Sequence, residues 1–274
     1  MKKSKIIVPA LGMLLLSTAA SITGTVAWFT ANNKVNVGGM NIKAEAENGI
    51  VIAAEEATHT AASWSTEATA LHTGAGLSFI PASTKIADND WWHGISKKAD
   101  NGQYEVTYEK YTVTDAALNT AASVGQGKTD IQVPADKNIY LLNHFYIQAS
   151  APTALTQQDL VVKSLTVTDS GNKALNKSIR VLFKLGSTTK IYCPLADGDF
   201  TATTYAGAAS KAAADDRLLD EGTIPAYNAA GTGALDLSVY CYFEGEDANC
   251  KSSNIENELT GVSVSFELEN IQDA

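Results

Sequence analysis

The chain has 274 residues, with 20 Lys and Arg against 30 Asp and Glu and a formal net charge of −10 at pH 7. That acidity excludes a surface for nucleic acid, which needs clustered cations, and electrostatic adhesion to anionic lipid. A chain of this length can bury a sizeable core, in one large β domain or two smaller ones.

Lys2, Lys3 and Lys5 precede an uncharged apolar run from Ile6 to Ile22, followed by Gly24-Thr25-Val26-Ala27-Trp28-Phe29-Thr30. A basic start, an apolar centre and small residues at Thr25 and Ala27 are the three parts of a secretory signal. Residues 1–27 are therefore expected to be removed, leaving a mature chain that begins at Trp28 and carries a formal charge of −13 after loss of the three lysines. An uncleaved membrane anchor is the alternative, because no charge falls between Lys5 and Lys34 and such a length spans a bilayer. Ser17, Thr18, Ser21, Thr23 and Thr25 make its second half a poor lipid-facing helix. The type IV pilin pattern needs a Gly before the apolar run and a Glu shortly inside it, and this sequence has neither.

Residues 28–46 read as an extended segment at a free terminus. Val35 and Val37 share one parity, Gly38-Gly39 intervenes, and Met40, Ile42 and Ala44 continue on the other. A glycine bulge resets the register, so both halves can aim apolar side chains at one groove. Such a strand completes its own sheet or a neighbour's.

Further along, Thr58 to Ala75 is rich in Ala and Thr and reads as a long loop. Asp88-Asn89-Asp90-Trp91-Trp92-His93-Gly94 follows, where the preferred reading packs one or both of Trp91 and Trp92 into the core or under a loop; a stacking platform for a sugar ring, rimmed by the acidic residues, is the alternative. In Ile139 to Ile147 both alternating sets are apolar or aromatic, which predicts a central strand covered on both faces. Period-two alternation recurs at Val161, Leu165 and Val167 against Lys163, Thr166 and Thr168, and at Ile179, Val181, Phe183 and Leu185 against Arg180 and Lys184. Ala206 to Leu219, with helix formers and no β-branched residue, predicts a short crossover helix. Strand alternation resumes in Leu235 to Phe243 and in Val262 to Leu268.

Three cysteines, Cys193, Cys241 and Cys250, would lie in an oxidising compartment after export and permit at most one disulfide, with all three pairings open; three small buried or unpaired residues are the alternative. No catalytic constellation appears. His59, His72, His93 and His144 are isolated, and none belongs to the His-Glu-x-x-His spacing that sets two zinc ligands on one helical face. His144, among strand residues, reads as structural. Glu244-Gly245-Glu246-Asp247, Asp197 with Asp199, and Asp215 with Asp216 offer hard oxygen ligands for calcium, but no EF-hand spacing is present and solvated loop charges are the preferred reading. No cofactor, metal or enzymatic activity is expected.

Four stretches resemble a known family. Gly24-Thr25-Val26-Ala27-Trp28-Phe29 with Lys34-Val35-Asn36-Val37-Gly38-Gly39-Met40-Asn41-Ile42-Lys43 resembles the N-terminus of the TasA/camelysin family of secreted Gram-positive proteins. Val262 to Gln272 resembles that family's last strand, and Tyr242 to Asp247 followed by Cys250 and Phe79 to Thr84 are similar to segments of its members. The resemblance implies a jelly-roll β-sandwich, cleavage by a dedicated signal peptidase, and a place at the cell surface or in a biofilm matrix. Camelysin relatives are described as metalloproteases, a property for which this sequence lacks the zinc spacing. The whole reading is a signal peptide (1–27), an N-terminal donor strand (28–46, with Val35, Val37, Met40 and Ile42 giving register) and an all-β sandwich (47–274) with a short helical crossover. The expected role is structural, extracellular and filament-forming, by head-to-tail donor-strand addition between copies, with membrane contact only during export. A monomeric carbohydrate-binding jelly roll is the alternative.

Overall fold

The computed structural model describes residues 35–36, 41–46, 49–73, 78–79, 81–85, 90–98, 104–113, 124–125, 127–128, 137–169, 177–193, 217–245, 247, 250 and 259–270. Strands are numbered in chain order. One antiparallel sheet of six holds β3 (Ile50–Ala54), β9 (Val124–Gly125), β12 (Tyr140–Ala149), β14 (Ile179–Leu185), β15 (Thr188–Tyr192) and β17 (Leu235–Phe243), in the order β15-β14-β17-β12-β3 with β9 beside β12. A sheet of five holds β2 (Asn41–Ala46), β4 (Glu67–Thr69), β13 (Leu155–Asp169), β16 (Arg217–Ile224) and β18 (Leu259–Asn270), in the order β16-β13-β18-β2-β4. Four more strands, β6 (Ser83–Lys85), β7 (Asp90–Lys98), β8 (Tyr104–Val113) and β10 (Gly127–Lys128), form a sheet built on the β7/β8 hairpin. The short strands β1 (Val35–Asn36), β5 (Ser78–Phe79) and β11 (Lys137–Asn138) make a separate three-stranded patch.

The two large sheets face each other across one core. Leu237, Val239, Cys241 and Phe243 of β17, Phe145 and Ile147 of β12 and Val181 and Phe183 of β14 meet Val262, Val264 and Phe266 of β18 there, and the Phe183 and Phe266 rings cross edge to face at 5.8 Å. Each such side chain contributes about 1.5–3 kcal/mol on leaving water. The other parity of the six-stranded sheet is covered as well, by a second cluster containing Tyr140, Leu142, Leu182, Tyr240 and Tyr242. The two-sided burial expected for 139–147 is thus found. The outer face of the five-stranded sheet is polar instead, with Lys163 2.9 Å from Glu267 and Lys43 2.8 Å from Glu67.

Three expectations need correction. Val161, Leu165 and Val167 do not share one face. A register shift between Val162 and Ser164 turns Leu160 and Val162 inward before it and Leu165 and Val167 inward after it, leaving Lys163 exposed. The helix expected from Ala206 to Leu219 is overturned at its end, where Arg217-Leu218-Leu219 opens β16 with Leu218 in the core; 206–216 lie outside the described residues. Thr58 to Ala75 is also more than a loop, since it contains a 3-10 turn (Ala61–Ser63) and β4. Just before β4, Ser65 exchanges backbone hydrogen bonds with Ile52 at 2.8 and 3.1 Å, stitching the two large sheets along one flank.

Candidate functional site

The N-terminal segment occupies an interior slot. β2 runs parallel to β18, with Ile42 beside Val262, Ala44 beside Val264 and Ala46 beside Phe266, and antiparallel to β4, with Ala44 opposite Ala68. Ile42 and Ala44 are fully buried, while Lys43 and Glu45 alternate to the outer face. Its ends are tied by Ala46 N donating to Thr66 O (2.8 Å) and Ala70 N donating to Ile42 O (2.7 Å). On the outside, Lys43 lies between Glu67 and Glu45, and its pKa is raised mainly by the hydrogen bond to Glu67. The single donor strand expected over 28–46 is therefore divided between two sheets. Val35 pairs with Phe79 in the three-stranded patch, where Phe79 is buried against Phe243, and Ile42 belongs to the five-stranded sheet. Val37 and Met40 lie outside the described residues, as do Thr25, Ala27 and Trp28 of the expected cleavage site. Among the described residues no helix is long and apolar enough to cross a membrane.

Trp91 is not a platform. It is 3% exposed and stacks within an aromatic nest, 4.7 Å from Tyr140, 4.9 Å edge-on from Tyr242 and 6.3 Å from Tyr240 by ring centroids. This corrects the paired-tryptophan site. Strand alternation sends half-buried Trp92 to the opposite face of β7, so the two rings cannot make one surface. Trp91 instead fastens the hairpin sheet to the outer face of the six-stranded sheet.

The acidic segment after β17 is likewise not a solvated loop. Asp247 and Arg180 are both fully buried and paired at 2.7 Å, and Arg180 Nη1 also donates to the carbonyls of Lys177 and Ile179. Glu244 is buried and accepts from Ser83 Oγ, while Ala82 N donates to Phe243 O and Gly245 N to Ala82 O. This polar latch joins the start of the hairpin sheet to the end of β17. Asp197, Asp199, Asp215, Asp216 and Glu246 lie outside the described residues, and among the described ones no group of three or more His, Cys, Asp and Glu could hold a metal.

The possible disulfide is not formed: no disulfide joins Cys193, Cys241 and Cys250, which are all buried. Cys241 points between the two large sheets, and burial raises its thiol pKa and that of Cys250 far above the ordinary value.

Two histidines contact carboxylates at the other end of β12 and β3. His144 Nδ1 lies 2.8 Å from Asp236, and His72 Nε2 lies 3.5 Å from the buried Glu55. His59 packs edge-on against Tyr146 at 4.8 Å and against Trp64 at 5.4 Å. Burial, then Asp236 and Glu55, push the Tyr146 phenol up to about 12. No motif announces this cluster, because its members come from strands and loops far apart in sequence. Two buried amides on β12 fix the loops around it: Asn143 exchanges hydrogen bonds with the His72 backbone (2.9 and 3.0 Å), and Gln148 does so with Asn228 (2.9 and 3.1 Å). His93 carries no described side chain.

A scan against protein-family models, a search of curated proteins and a search of solved structures each return no match.

Proposed function

We propose that this chain is a secreted structural protein of the bacterial surface or extracellular matrix, a jelly roll of the TasA/camelysin kind that polymerises by exchange of its N-terminal strand. The observation that carries the reading is the position of β2. A segment close to the proposed mature N-terminus fills an interior slot, between β18 and β4, with Ile42 and Ala44 fully buried. When the same segment of a neighbour enters the slot, the same hydrogen bonds and the same apolar contacts re-form, so exchange changes few contacts within the slot. The contact joins two different surfaces and does not close on itself, so it propagates as a fibre. Gly49, with φ of +87°, lies between β2 and β3 and supplies a turn at which the segment can swing away.

The residues that resemble the family support secretion through a dedicated signal peptidase, and the lack of a zinc-binding spacing supports a role without catalysis. Burial of Trp91 counts against the sugar-binding alternative. Electron microscopy of protein starting at Trp28 tests the proposal: filaments are expected, and a synthetic peptide spanning 28–46 should stop their growth by occupying the slot. Protein that stays monomeric at every concentration and pH tried contradicts it.

A further inference from the structure

β2 lies between two unequal walls. On one side it pairs with β18 over six residues, Asn41 to Ala46, beside Val262, Val264 and Phe266. On the other it pairs over three, Lys43 to Glu45, with β4, and the inward residues of that side, Ala68 and Ala70, are small. Lifting β4 therefore uncovers little apolar surface, whereas parting β2 from β18 uncovers a phenylalanine and two valines. On the outer face Glu45 stands directly opposite Glu67, a like-charge pair that weakens the β2/β4 ladder and that Lys43 bridges at 3.4 and 2.8 Å. Leu71, the large apolar residue just past β4, is 50% exposed instead of anchoring the strand.

β4 is held down at its two ends, by groups outside the five-stranded sheet. Before it, Trp64 is buried with its indole donating to Ala229 O at 3.1 Å, and Ser65 exchanges backbone hydrogen bonds with Ile52. After it, the Asn143 amide accepts from His72 N at 2.9 Å and donates to His72 O at 3.0 Å, with the His72 ring 3.5 Å from Glu55. Asn143 stands out on β12. Leu141, Phe145 and Ile147, which share its parity, belong to the core, and Asn143 is as fully buried as they are. A buried amide costs free energy unless its hydrogen bonds are made, so the core favours an apolar residue there and the asparagine is explained by what it holds.

We infer that residues 66–71 are a strap that lifts off β2 while β2 stays on β18, hinged at Trp64 and Ser65 and clasped shut by Asn143. Opening removes one wall of the slot, so β2 leaves, or a neighbour's β2 enters, sideways instead of threading lengthwise between two strands. That consequence for assembly rests on the strand-exchange reading; the opening itself does not. Alternation fixes the signature. Ala70 N donates to Ile42 O and Ala46 N to Thr66 O, so the backbone groups of Ile42, Ala44 and Ala46 face the strap and those of Lys43 and Glu45 face β18. A lifted strap frees the amides of Ala44, Ala68 and Ala70 and leaves those of Lys43 and Glu45 protected. Ala70, beside the clasp, opens before Ala46, which pairs beside the hinge.

Residue-resolved hydrogen exchange tests this on the chain starting at Trp28, kept dilute so that it stays monomeric. Ala44, Ala68 and Ala70 should be less protected than Lys43 and Glu45, and Asn143→Leu should accelerate the first set by about tenfold while the second keeps its rates. Equal protection of the two sets, or no acceleration in Asn143→Leu, overturns the inference. A second variant leaves the core untouched: Lys43 and Thr69 are directly opposite in a non-hydrogen-bonded pair on the outer face, whose usual Cα spacing of about 4.5 Å accepts a disulfide. Oxidised Lys43→Cys, Thr69→Cys should lose the fast exchange at Ala70 and regain it on reduction; fast exchange that survives the crosslink contradicts the strap. Asn143→Leu should also form filaments faster than the parent. Filaments from neither protein would end the strand-exchange reading and leave the strap to be judged by the same amide rates, so the two claims fail separately.

Discussion

Arg180 and Asp247 form an ion pair at 2.7 Å with neither side chain exposed to solvent, at the point where β14, β17 and the hairpin sheet converge. Desolvation of two charges is offset only because the guanidinium also satisfies two carbonyls. Asp247→Ala leaves an uncompensated buried cation and should destabilise the fold by about 3–5 kcal/mol. Replacing both, Arg180→Met with Asp247→Leu, should recover most of that loss. Urea unfolding of the two variants checks the pair; equal loss in both would mean that shape, not charge, matters here.

Neighbouring residues on β2 should behave oppositely. Ile42→Asp buries a carboxylate between the sheets and should unfold the slot, at a cost of several kcal/mol. Lys43→Gln touches only exposed partners, Glu45 and Glu67, and should change stability by less than about 1 kcal/mol. Thermal melts of both proteins provide the comparison.

Trp91→Ala empties the aromatic nest and should cost about 3–5 kcal/mol, with loss of near-ultraviolet circular dichroism from the packed tyrosines. Trp92→Ala should cost less, because that ring is half-buried. Addition of sugars should leave the fluorescence of Trp91 unchanged; saturable quenching that disappears in Trp91→Ala would restore a binding role.

The thiols and phenols make alkali destabilising. Burial raises the pKa of Cys241, Cys250, Tyr242 and Tyr146 in the folded chain, so the unfolded chain releases these protons first. Stability from this source is complete below the ordinary thiol and phenol values of 9.0 and 10.0, and is lost as pH rises past them toward the folded values. Melting temperature should fall above about pH 9. At pH 8 the native protein should react negligibly with a thiol reagent, and the guanidinium-unfolded protein should expose three thiols per chain.

Much of this architecture was legible in period-two patterns. Leu235 to Phe243 became β17 and Ile179 to Leu185 became β14, because each alternates cleanly and its neighbours on both sides agree. What escaped was long-range partnering. Nothing near Asp247 announces Arg180, 67 positions away, so a buried acid looked like a loop charge. Trp91 stood out as aromatic, but the tyrosines that bury it sit on β12 and β17. Arg217-Leu218-Leu219 carries helical propensity, which pairing with β13 and burial of Leu218 override. The N-terminal segment read as one bulged strand because parity alone cannot show that Val35 and Ile42 join different sheets.

The central claim is that β2 of one copy fills the slot of the next. Ala44 of β2 and Ala68 of β4 lie directly opposite in an antiparallel pair, a relation whose usual spacing accepts a disulfide. The double variant Ala44→Cys, Ala68→Cys should therefore be allowed to assemble under reducing conditions, oxidised, and run on a denaturing gel without reductant. Strand exchange predicts a ladder of covalent multimers that collapses to monomer when reductant is added. Filaments that yield only internally crosslinked monomers would show that each chain keeps its own β2, and the account of assembly would be wrong.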